Sequence, residues 1–534
     1  MESLQELAAR PASDPVGGTA HGKEVASWYG ILAIVICMAV GGLALSIGAS
    51  RQVGNWGVES DFFGMYVVQA QNILSGKPYT YQHYPPGYVY ALAFLSLLTH
   101  DLFAAGKIIS AVATALFGLV SYGLIAALSD RRRAFVTTLF VLFALLPHSF
   151  VAATDVLANL LLLLPLWILL RREAGVTVCL QAGLAAGLAY LVRYNAIFVI
   201  VGIPLVLILV NPNQHSRQQR IVKISVFLCG ALAVMSPWLL VNWHRNGSPF
   251  ASDMYQQIAA HFYHPKGDAF GWTSRAMGKQ FTSLWDVLLY DPLRLIRIFV
   301  KDILYSKPLA LTSSVIGFPA CVFIGAGVLL YLKHMTRRRT AFLLVCGLGY
   351  LLHGLAGFYV RFYFFLFPLL FLFVVVAVFH FDTMPSLFRG AHRAWNVGWL
   401  VMGILLAESV YTSYVGTSQF LHAEPKHLLG LAELLKTRAS SNEVIMAIEP
   451  HIAYLTNLRG VDASVADTLE DYVAKAKERE VRYIVYSEHE EQYWSGLKAL
   501  SDPGRMPKEF RLIYEHGPTK TLVYEIQRMS DSPH

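Results

Sequence analysis

The chain has 534 residues, of which 55% are hydrophobic and 15% are charged, and its mean hydropathy is +0.47. This composition excludes a soluble protein and a soluble domain with a single anchor, and it predicts a polytopic membrane protein. The formal net charge of +8 does not indicate nucleic-acid binding, because most clustered Lys and Arg residues lie in short loops between apolar stretches.

The first residues of the chain and its cysteines give further information about the class of membrane protein. The first 25 residues are polar and show no short hydrophobic region followed by a cleavage site. We therefore expect residues 1–27 to be a cytoplasmic segment and the first span to remain as an anchor. All five cysteines lie inside apolar stretches, which excludes a disulfide framework or a CxxC metal site in the soluble parts. They are Cys37, Cys179, Cys229, Cys321 and Cys346.

Apolar stretches of about 20 residues identify membrane spans. The sequence predicts eleven, at residues 28–49, 103–128, 134–150, 156–170, 176–192, 196–210, 224–241, 309–332, 341–358, 362–379 and 395–415. Residues 86–98 are apolar but too short for a crossing, so we expect an interfacial or re-entrant helix there. Residues 28–415 would form the membrane region, with outer loops at 50–102 and 242–307.

Charge in the short loops predicts the orientation. Every short loop assigned to the cytoplasm carries at least two Lys or Arg residues, as the positive-inside rule requires. They are Arg131, Arg132, Arg133, Arg171, Arg172, Arg217, Arg220, Lys223, Lys333, Arg337, Arg338, Arg339, Arg389 and Arg393. A full crossing by residues 86–98 would invert the later loops and break the rule.

Residues 59–90, between the first two spans, hold the densest pattern of candidate functional residues. Ser60 or Asp61 can cap a helix over residues 62–75, which Gly76 and Pro78 would end. The apolar residues of this helix gather on one side, as in a helix that lies in the membrane interface. Tyrosines, a histidine and a double proline follow, and rings with polar tips suit the headgroup level.

From about residue 416 the composition becomes that of a soluble domain. We expect helices over residues 425–437, 468–479 and 490–500, and strands over 443–448, 483–487, 510–514 and 521–526, the last two as a hairpin or edge pair. The alternation predicts a small α/β domain over residues 416–534. The predicted orientation places it outside the cytoplasm.

Ionisable groups at membrane depth are costly and are therefore functional candidates. A set of them is predicted at one outer face: Asp61, His83, Lys107, Asp155, Arg193 and Arg361. Each also has a plain structural interpretation: the acids as helix caps, the cations as side chains that snorkel to headgroups, and the histidine as an ordinary interface residue. Glu408, near the outer end of the last span, is interpreted as solvated. The convergence of three cations and two carboxylates favours a functional site.

Sugar transfer from a lipid carrier would require such a set. A carboxylate would take the proton from the acceptor hydroxyl, and cations would neutralise the departing lipid phosphate. Apolar walls would hold a polyprenyl chain, and aromatic rings would stack on the sugar. The sequence has no P-loop, Rossmann glycine fingerprint, HExxH or GxSxG motif, so nucleotide-driven and hydrolase mechanisms have no support.

The stretch SDFFGMYVVQAQNILSGKPYTYQHYPPG resembles the first outer loop of the GT-C glycosyltransferases, polytopic enzymes that use polyprenyl-phosphate sugars. The stretch FAAGKIISAVATALFG is similar to the second span of that family, with Lys107 where an Arg is common. Later landmarks follow in the family's order: TDVLANLLLLLPLWIL, GLAAGLAYLVRYNAIFVIVGIPL, SPWLLVNWHRNGSPF and VRFYFFLFPLLFLF. The C-terminal α/β domain is similar to that of the aminoarabinose and protein mannosyltransferase branch. The resemblance implies a GT-C fold over nearly the whole chain.

The resemblance also implies roles for residues. Asp61 would be the catalytic base, and Asp155 would be a second outer acid that orients donor or acceptor. Three cations would hold the donor phosphate and three ring-bearing residues would contact substrate; they are Lys107, Arg193, Arg361, Tyr66, His83 and Tyr84. No metal ligand is assigned, because Phe62 stands where many relatives have Glu. Tyr84 replaces the Lys that often precedes the double proline in the aminoarabinose branch, which favours mannosyl or related hexosyl or pentosyl transfer.

The sequence thus predicts a mainly α polytopic membrane enzyme with an α/β domain. It would move a sugar, with inversion, from a polyprenyl phosphate to a cell-envelope acceptor at the inner or plasma membrane. Its partners would be the donor, the acceptor and membrane lipids, with no nucleic acid; no cofactor is assigned, and a divalent metal stays open. A transporter or lipid flippase, and a non-catalytic scaffold or sensor, are the alternatives. An alternating-access pathway would favour transport, whereas burial of Asp61 beside a cavity would favour the enzyme.

Overall fold

The computed structural model describes residues 20–171, 175–209, 216–263, 280–311, 317–355, 359–381, 397–440, 442–463, 466, 468–492 and 494–527. Residues 1–19 and the basic residues Arg172, Arg389 and Arg393, on which the predicted orientation partly depends, lie outside these ranges.

Helices that run back and forth between two ends form the larger part of the molecule. They are α1 (Ala20–Ser50), α2 (Val68–Leu74), α3 (Gly87–Thr99), α4 (Leu102–Leu128), α5 (Arg131–Leu145), α6 (Asp155–Leu170), α7 (Val176–Val192), α8 (Ile197–Leu209), α9 (Arg217–Asn246), α10 (Tyr255–Tyr263), α11 (Leu284–Tyr290), α12 (Pro292–Lys301), α13 (Lys307–Leu311), α14 (Phe318–Lys333), α15 (Arg337–His353), α16 (Phe367–Phe381) and α17 (Val397–His422). We call the end where α1 and α17 finish and α4 and α6 begin the domain-facing end. The basic loops that begin α5 and α15 lie at the opposite, far end.

Length and composition mark five helical stretches of the described residues as able to cross a membrane: Trp28–Ser50, Leu102–Leu128, Arg217–Asn246, Val360–His380 and Val397–Arg438. Shorter apolar helices of 10–17 residues lie between them, among them α6 and α7. The predicted multi-pass character is confirmed, and the count of eleven crossings stays a prediction. The predicted change of region at residue 416 falls inside α17, which continues to His422.

Residues 60–74 are helical, where a helix over residues 62–75 was predicted, but the helix begins differently. The backbone is already helical at Asp61, whose side chain makes no capping hydrogen bond, and a π-helical turn, Phe62–Val67, precedes α2. Ser60 does not cap the helix either, because its hydroxyl accepts from the backbone of Gly57. The capping interpretation of both residues was therefore wrong, and the side chain of Asp61 is left for another role.

Close packing of two aromatic rings holds the π-helical turn in place. Phe62 and Phe63 are both buried, and a Cβ atom at Gly106 of α4 would lie 2.7 Å from the Phe62 ring, which is closer than carbon atoms approach. A Cβ atom at Gly54 would collide with the Phe63 ring in the same way. Glycine at these two positions lets the turn lie directly against α4 and the preceding loop.

Helices occupy much of the long connection between α9 and α14. The sequence analysis predicted a long outer loop over residues 242–307 and named no helices in it, whereas the described part contains α10 to α13. α12 has the sequence PLRLIRIFVK, whose apolar residues repeat at helical spacing. Leu293 and Ile296 are exposed. Arg294 lies between these two residues, and Lys301 lies at the end of the helix. Such an amphipathic helix was hidden from span detection because its charges lower its mean hydropathy.

The C-terminal domain is the predicted α/β domain. Its elements are α18 (His427–Arg438), β1 (Val444–Ala447), α19 (His451–Thr456), β2 (Arg459–Asp462), α20 (Leu469–Glu478), β3 (Val481–Ser487), α21 (Glu488–Glu491), β4 (Phe510–His516) and β5 (Thr521–Ile526). The sheet order is β2-β1-β3-β5-β4, with β1 parallel to β2 and β3, and with β5 antiparallel to β3 and β4. The predicted hairpin of the last two strands is confirmed; β2 and α19 were not predicted.

Alternation of side chains along the strands gives this sheet two buried faces. Val444 and Met446 of β1 pack on the side of α20, whose Tyr472 is fully buried. Ile445 of β1 packs on the opposite side, against Leu431 of α18. The domain therefore has its own core of helices on both sides of the sheet.

Candidate active site

Asp155, Arg193 and Arg361 meet at the domain-facing end of the helical bundle. Asp155 is the first residue of α6, Arg193 follows α7 in extended conformation, and Arg361 lies in the 3₁₀ stretch Val360–Leu366 before α16. One carboxylate oxygen of Asp155 lies 3.1 Å from Nη2 of Arg193, and the other lies 3.7 Å from Nε of Arg361. Asp155 is only 5% exposed. Two guanidinium groups thus face one buried carboxylate.

Hydrogen bonds hold this group in place. Nε of Arg193 donates to Oγ1 of Thr154 at 3.0 Å. Asn159, one turn along α6, donates from Nδ2 to the carbonyls of Asp155 and Arg361, while its Oδ1 accepts from the Phe365 backbone at 3.0 Å. Asn159 therefore fastens the segment that carries Arg361 to the helix that carries Asp155, although sequence analysis had not singled it out.

Asp61 belongs to the same electrostatic group. Its charge interacts with those of Arg193 and Arg361, and its side chain is half-buried and does not point into bulk solvent. Within the described ranges, no donor or cation lies within bonding distance of its carboxylate, in contrast to the doubly paired Asp155. The structure therefore brings together four of the predicted residues, and one of the two acids keeps its lone pairs free.

Tyrosine rings form one wall beside these charges. The buried ring of Tyr66 stacks on Tyr84 with 5.3 Å between centroids, and its edge meets Tyr88 at 5.0 Å. The guanidinium of Arg193 lies 5.8 Å from the Tyr84 ring centre and 4.6 Å from that of Phe362. A flat aromatic surface next to two cations suits a sugar joined to a phosphate.

His83 lies next to this wall but points its nitrogens elsewhere. Its ring meets Tyr84 edge-on at 4.6 Å. Nδ1 lies 2.6 Å from Asp253, and Nε2 lies 2.7 Å from Gln257 of α10. Both ring nitrogens are thus engaged with the connection after α9, so His83 joins that connection to the tyrosine wall.

Lys107 lies in a different cluster from the two arginines. Its Nζ donates to the backbone carbonyl of Arg51 at 2.7 Å and lies 4.2 Å from the centre of the Phe103 ring. The charges that act on it are those of Arg51, Asp101, Glu59 and Glu424, and not that of Asp155. Of the three cations that were expected to converge, Arg193 and Arg361 lie together and Lys107 lies apart from them.

A buried network around Arg51 was missed by sequence analysis. Arg51, 2% exposed, pairs with Glu59 at 2.5 Å and with Glu424 at 2.6 Å, and it donates to Asn55. Glu59 also accepts hydrogen bonds from the backbone of Asn55 and Ala152. The end of α1, the segment before Asp61 and the end of α17 are thereby joined. Glu424 is 373 residues from Arg51 along the chain, so no local pattern could reveal the pair.

A cavity of about 540 Å³ adjoins the charged group. Its walls come from α5, α17 and the segments before α2 and α16, and they include His148, Phe364, Phe420 and Ser413. Val58 lines the cavity, and its backbone carbonyl accepts a hydrogen bond from Arg361 at 3.4 Å. The Oγ of Ser413, 4% exposed, has no hydrogen-bond partner among the described residues. The cavity is therefore mainly apolar with an unsatisfied hydroxyl in its wall.

Over the described ranges, no group of three or more His, Cys, Asp or Glu side chains is arranged to hold a metal ion. The charged and aromatic groups that meet at the site are two carboxylates, two arginines and aromatic rings.

Comparison with known proteins shows what this chain is similar to. Residues 83–241 match the sequence model of the family described as dolichyl-phosphate-mannose-protein mannosyltransferase, a range that includes Asp155 and Arg193. No curated protein sequence matches the chain significantly.

Solved structures with the same fold include ArnT from Cupriavidus metallidurans bound to undecaprenyl phosphate. The TM-score is 0.60 at 11% sequence identity, over 94% of this chain and 99% of that chain. ArnT in the apo state gives 0.60 at 12% identity, over 96% and 100% of the two chains. The oligosaccharyltransferase AglB from Archaeoglobus fulgidus, in complex with an inhibitory peptide and a dolichol-phosphate, gives 0.54 at 13% identity, over 93% of this chain and 75% of that chain.

The shared fold and the matched region define the class of the protein: it is a polytopic membrane glycosyltransferase of the GT-C type. Residues 83–241 are similar to the mannosyltransferase family whose sequence model they match. The resemblance found in the sequence is confirmed.

Proposed function

We propose that this enzyme transfers a sugar from a polyprenyl-phosphate donor to a cell-envelope acceptor, with inversion at the anomeric carbon. The observation that carries this proposal is the unpaired carboxylate of Asp61 within electrostatic range of Arg193 and Arg361. ArnT and AglB, which share the fold, were solved with undecaprenyl phosphate and with a dolichol-phosphate, respectively. A lipid phosphate is accordingly the donor group that we assign to the two arginines.

The reaction follows from the charges. Asp61 takes the proton of the acceptor hydroxyl, whose oxygen then attacks the anomeric carbon while the bond to the phosphate oxygen breaks. Arg193 and Arg361 neutralise the negative charge that develops on the leaving phosphate. Asp155 pairs with both arginines and holds them in position, and Tyr66 and Tyr84 offer a face to the sugar. The cavity beside Arg361 supplies apolar volume for a lipid substrate.

We further infer that the domain-facing end lies outside the cytoplasm. The far end carries the basic loops that begin α5, α9 and α15, and such loops face the cytoplasm in membrane proteins. With eleven crossings, the C-terminal domain and the site open to the extracytoplasmic side of an inner or plasma membrane. The transferred sugar is a hexose or pentose on this proposal, and a mannose-like sugar accords with the family match.

Asp61→Asn is the test of this function. The variant loses the proton acceptor, so transfer is expected to fall by about 10²- to 10⁴-fold while undecaprenyl phosphate still binds. Transfer is measured by mass analysis of envelope glycans in cells that carry either form, and binding is measured on purified protein. Glu433→Gln, an exposed carboxylate of α18, is the matched control and should leave both unchanged. Full transfer by Asp61→Asn would remove Asp61 from the mechanism.

A further inference from the structure

The C-terminal domain meets the segment that carries Asp61 at one edge of its sheet. β1 and β3 are adjacent and parallel, so their carboxyl ends open at the same edge. Glu449 and His451 follow β1, and Glu490 lies in α21 after β3. In parallel sheets this edge is where functional side chains gather. Here it is covered by residues 56–64 of the membrane region.

Several contacts join residues 56–64 to the domain. The hydroxyl of Ser60 donates to Oε2 of Glu449. The ring of Phe63 lies 4.6 Å from the His451 ring and 4.9 Å from that of Tyr454. A Cβ atom at Gly64 would lie 3.3 Å from Pro450, and Trp56 stacks on His489 with 4.1 Å between ring centres. The domain thus contacts the chain on both sides of Asp61.

The acidic groups at this edge are buried, and their pKa values shift in opposite directions. Glu449, His451 and Glu490 are at most 6% exposed, and the Glu449 backbone donates to Oε1 of Glu490 at 2.9 Å. Burial, and then the charge of Glu449, raise the pKa of Glu490 to about 8. Burial alone would raise the pKa of Glu449, but hydrogen bonds from His451 and Ser60 and the charge of His451 outweigh it and lower that pKa. At neutral pH one acid is protonated and the other is the anion that holds Ser60.

Ser60 is joined to Asp61 by a single peptide bond. Anchoring its hydroxyl restricts the backbone that sets the direction of the Asp61 side chain, which itself has no bonding partner among the residues that the structure describes. Misplacement of a catalytic group by about 1 Å can cost about 10²-fold in rate.

We infer that the C-terminal domain is a positioning device for catalysis: Glu449, acting through Ser60, directs the Asp61 carboxylate toward the arginine pair. This inference rests on the proposed role of Asp61 as the proton acceptor. Glu449 is a positioning residue, because it contacts Ser60 and the domain core and not the charged group of Arg193 and Arg361. The domain therefore contributes to the rate of transfer even though no residue of it reacts.

A double-mutant cycle on the full chain tests the coupling. Ser60→Ala and Glu449→Ala are each expected to lower the rate of glycan transfer in cells by about 10- to 100-fold per folded protein. Because both remove the same contact, the double variant should be no slower than the slower single variant. Ser60→Thr keeps the hydroxyl and should restore most of the rate. Undecaprenyl phosphate binding to the purified variants should change by less than about threefold, because the arginines are untouched.

The controls separate positioning from damage to the domain. Glu443→Ala removes a carboxylate that pairs with Arg482 near the start of β1, away from the interface, and should leave transfer unchanged. An equal loss of transfer in Glu443→Ala, additive effects of Ser60→Ala and Glu449→Ala, or failure of Ser60→Thr to rescue would overturn the inference. If a variant folds poorly, hydrogen exchange of residues 56–64 decides: the contact predicts faster exchange in Ser60→Ala than in the parent. Loss of transfer in Asp61→Asn with normal rates in Ser60→Ala would refute the positioning alone, whereas full activity of Asp61→Asn would refute the proposed function.

Discussion

Asp155 lies between two arginines, and its neutralisation separates phosphate binding from catalysis. In Asp155→Asn the side chain keeps its volume but loses the charge that attracts Arg193 at 3.1 Å and Arg361 at 3.7 Å. The site then carries one negative charge less, and both guanidinium groups lose the partner that fixes their direction. We expect the variant to bind undecaprenyl phosphate at least as tightly as the parent and to transfer sugar more slowly.

The geometry sets the size of this effect. Asp155 is buried, so its charge is poorly screened by water, and removal of one partner from a buried ion pair costs about 3–5 kcal/mol. Part of this free energy is regained as the arginines turn toward the phosphate. The rest of the cost falls on the transition state, in which the arginines are misdirected. We therefore expect the rate to fall by about 100-fold, which corresponds to about 2.7 kcal/mol.

Two measurements on one preparation check this prediction. Binding of undecaprenyl phosphate gives Kd, and mass analysis of envelope glycans gives the relative rate of transfer. Asp130→Asn is the control, since Asp130 is an exposed helix cap at the far end and Asn caps equally well. Weaker binding together with an unchanged rate would show that Asp155 does not restrain the arginines.

Two further predictions concern stability in detergent, measured by thermal melting. Arg51→Met leaves the buried Glu59 and Glu424 without their cation and should cost about 3–5 kcal/mol. The partly exposed Arg133→Met should cost less than about 1 kcal/mol, and equal losses would contradict the network. Because the folded-state pKa of Glu490 is raised to about 8, its contribution to stability is complete below its ordinary pKa and is lost as pH rises to about 8, by about 1.4 kcal/mol per pH unit. Glu490→Gln should therefore melt with a flatter pH dependence between pH 5 and 8 than the parent, and parallel curves would refute the assignment.

Periodicity and charge predicted most of the fold. The bounds of α7 were predicted at 176–192, and the structure has the helix at Val176–Val192, because an apolar run bounded by Gly175 and Arg193 leaves little choice. Elements that are short or amphipathic were missed. β2 has four residues, and α12 has a low mean hydropathy despite its apolar stripe, so neither gives a signal in single-sequence patterns.

The site was only partly predictable for a related reason. Asp61, Asp155, Arg193 and Arg361 were recognised because charge at membrane depth is costly and therefore informative. Lys107 satisfies the same criterion but serves a separate cluster, since depth along a helix does not tell which neighbours a side chain faces. Glu449, which accepts from Ser60, and Glu424, which pairs with Arg51, come from the last quarter of the chain, and only tertiary packing brings these pairs together.

The ion pair between Arg51 and Glu424 has a consequence for biogenesis. Arg51 is synthesised early and Glu424 late. For most of synthesis, therefore, Arg51 at the end of α1 is without Glu424, the second of the two carboxylates that pair with it. Arg361 and Glu449 are also late, so a nascent chain that already exposes Asp61 has neither its arginine pair nor its serine anchor. Chains released before residue 424 therefore lack both the Arg51–Glu424 ion pair and the contact between Ser60 and Glu449.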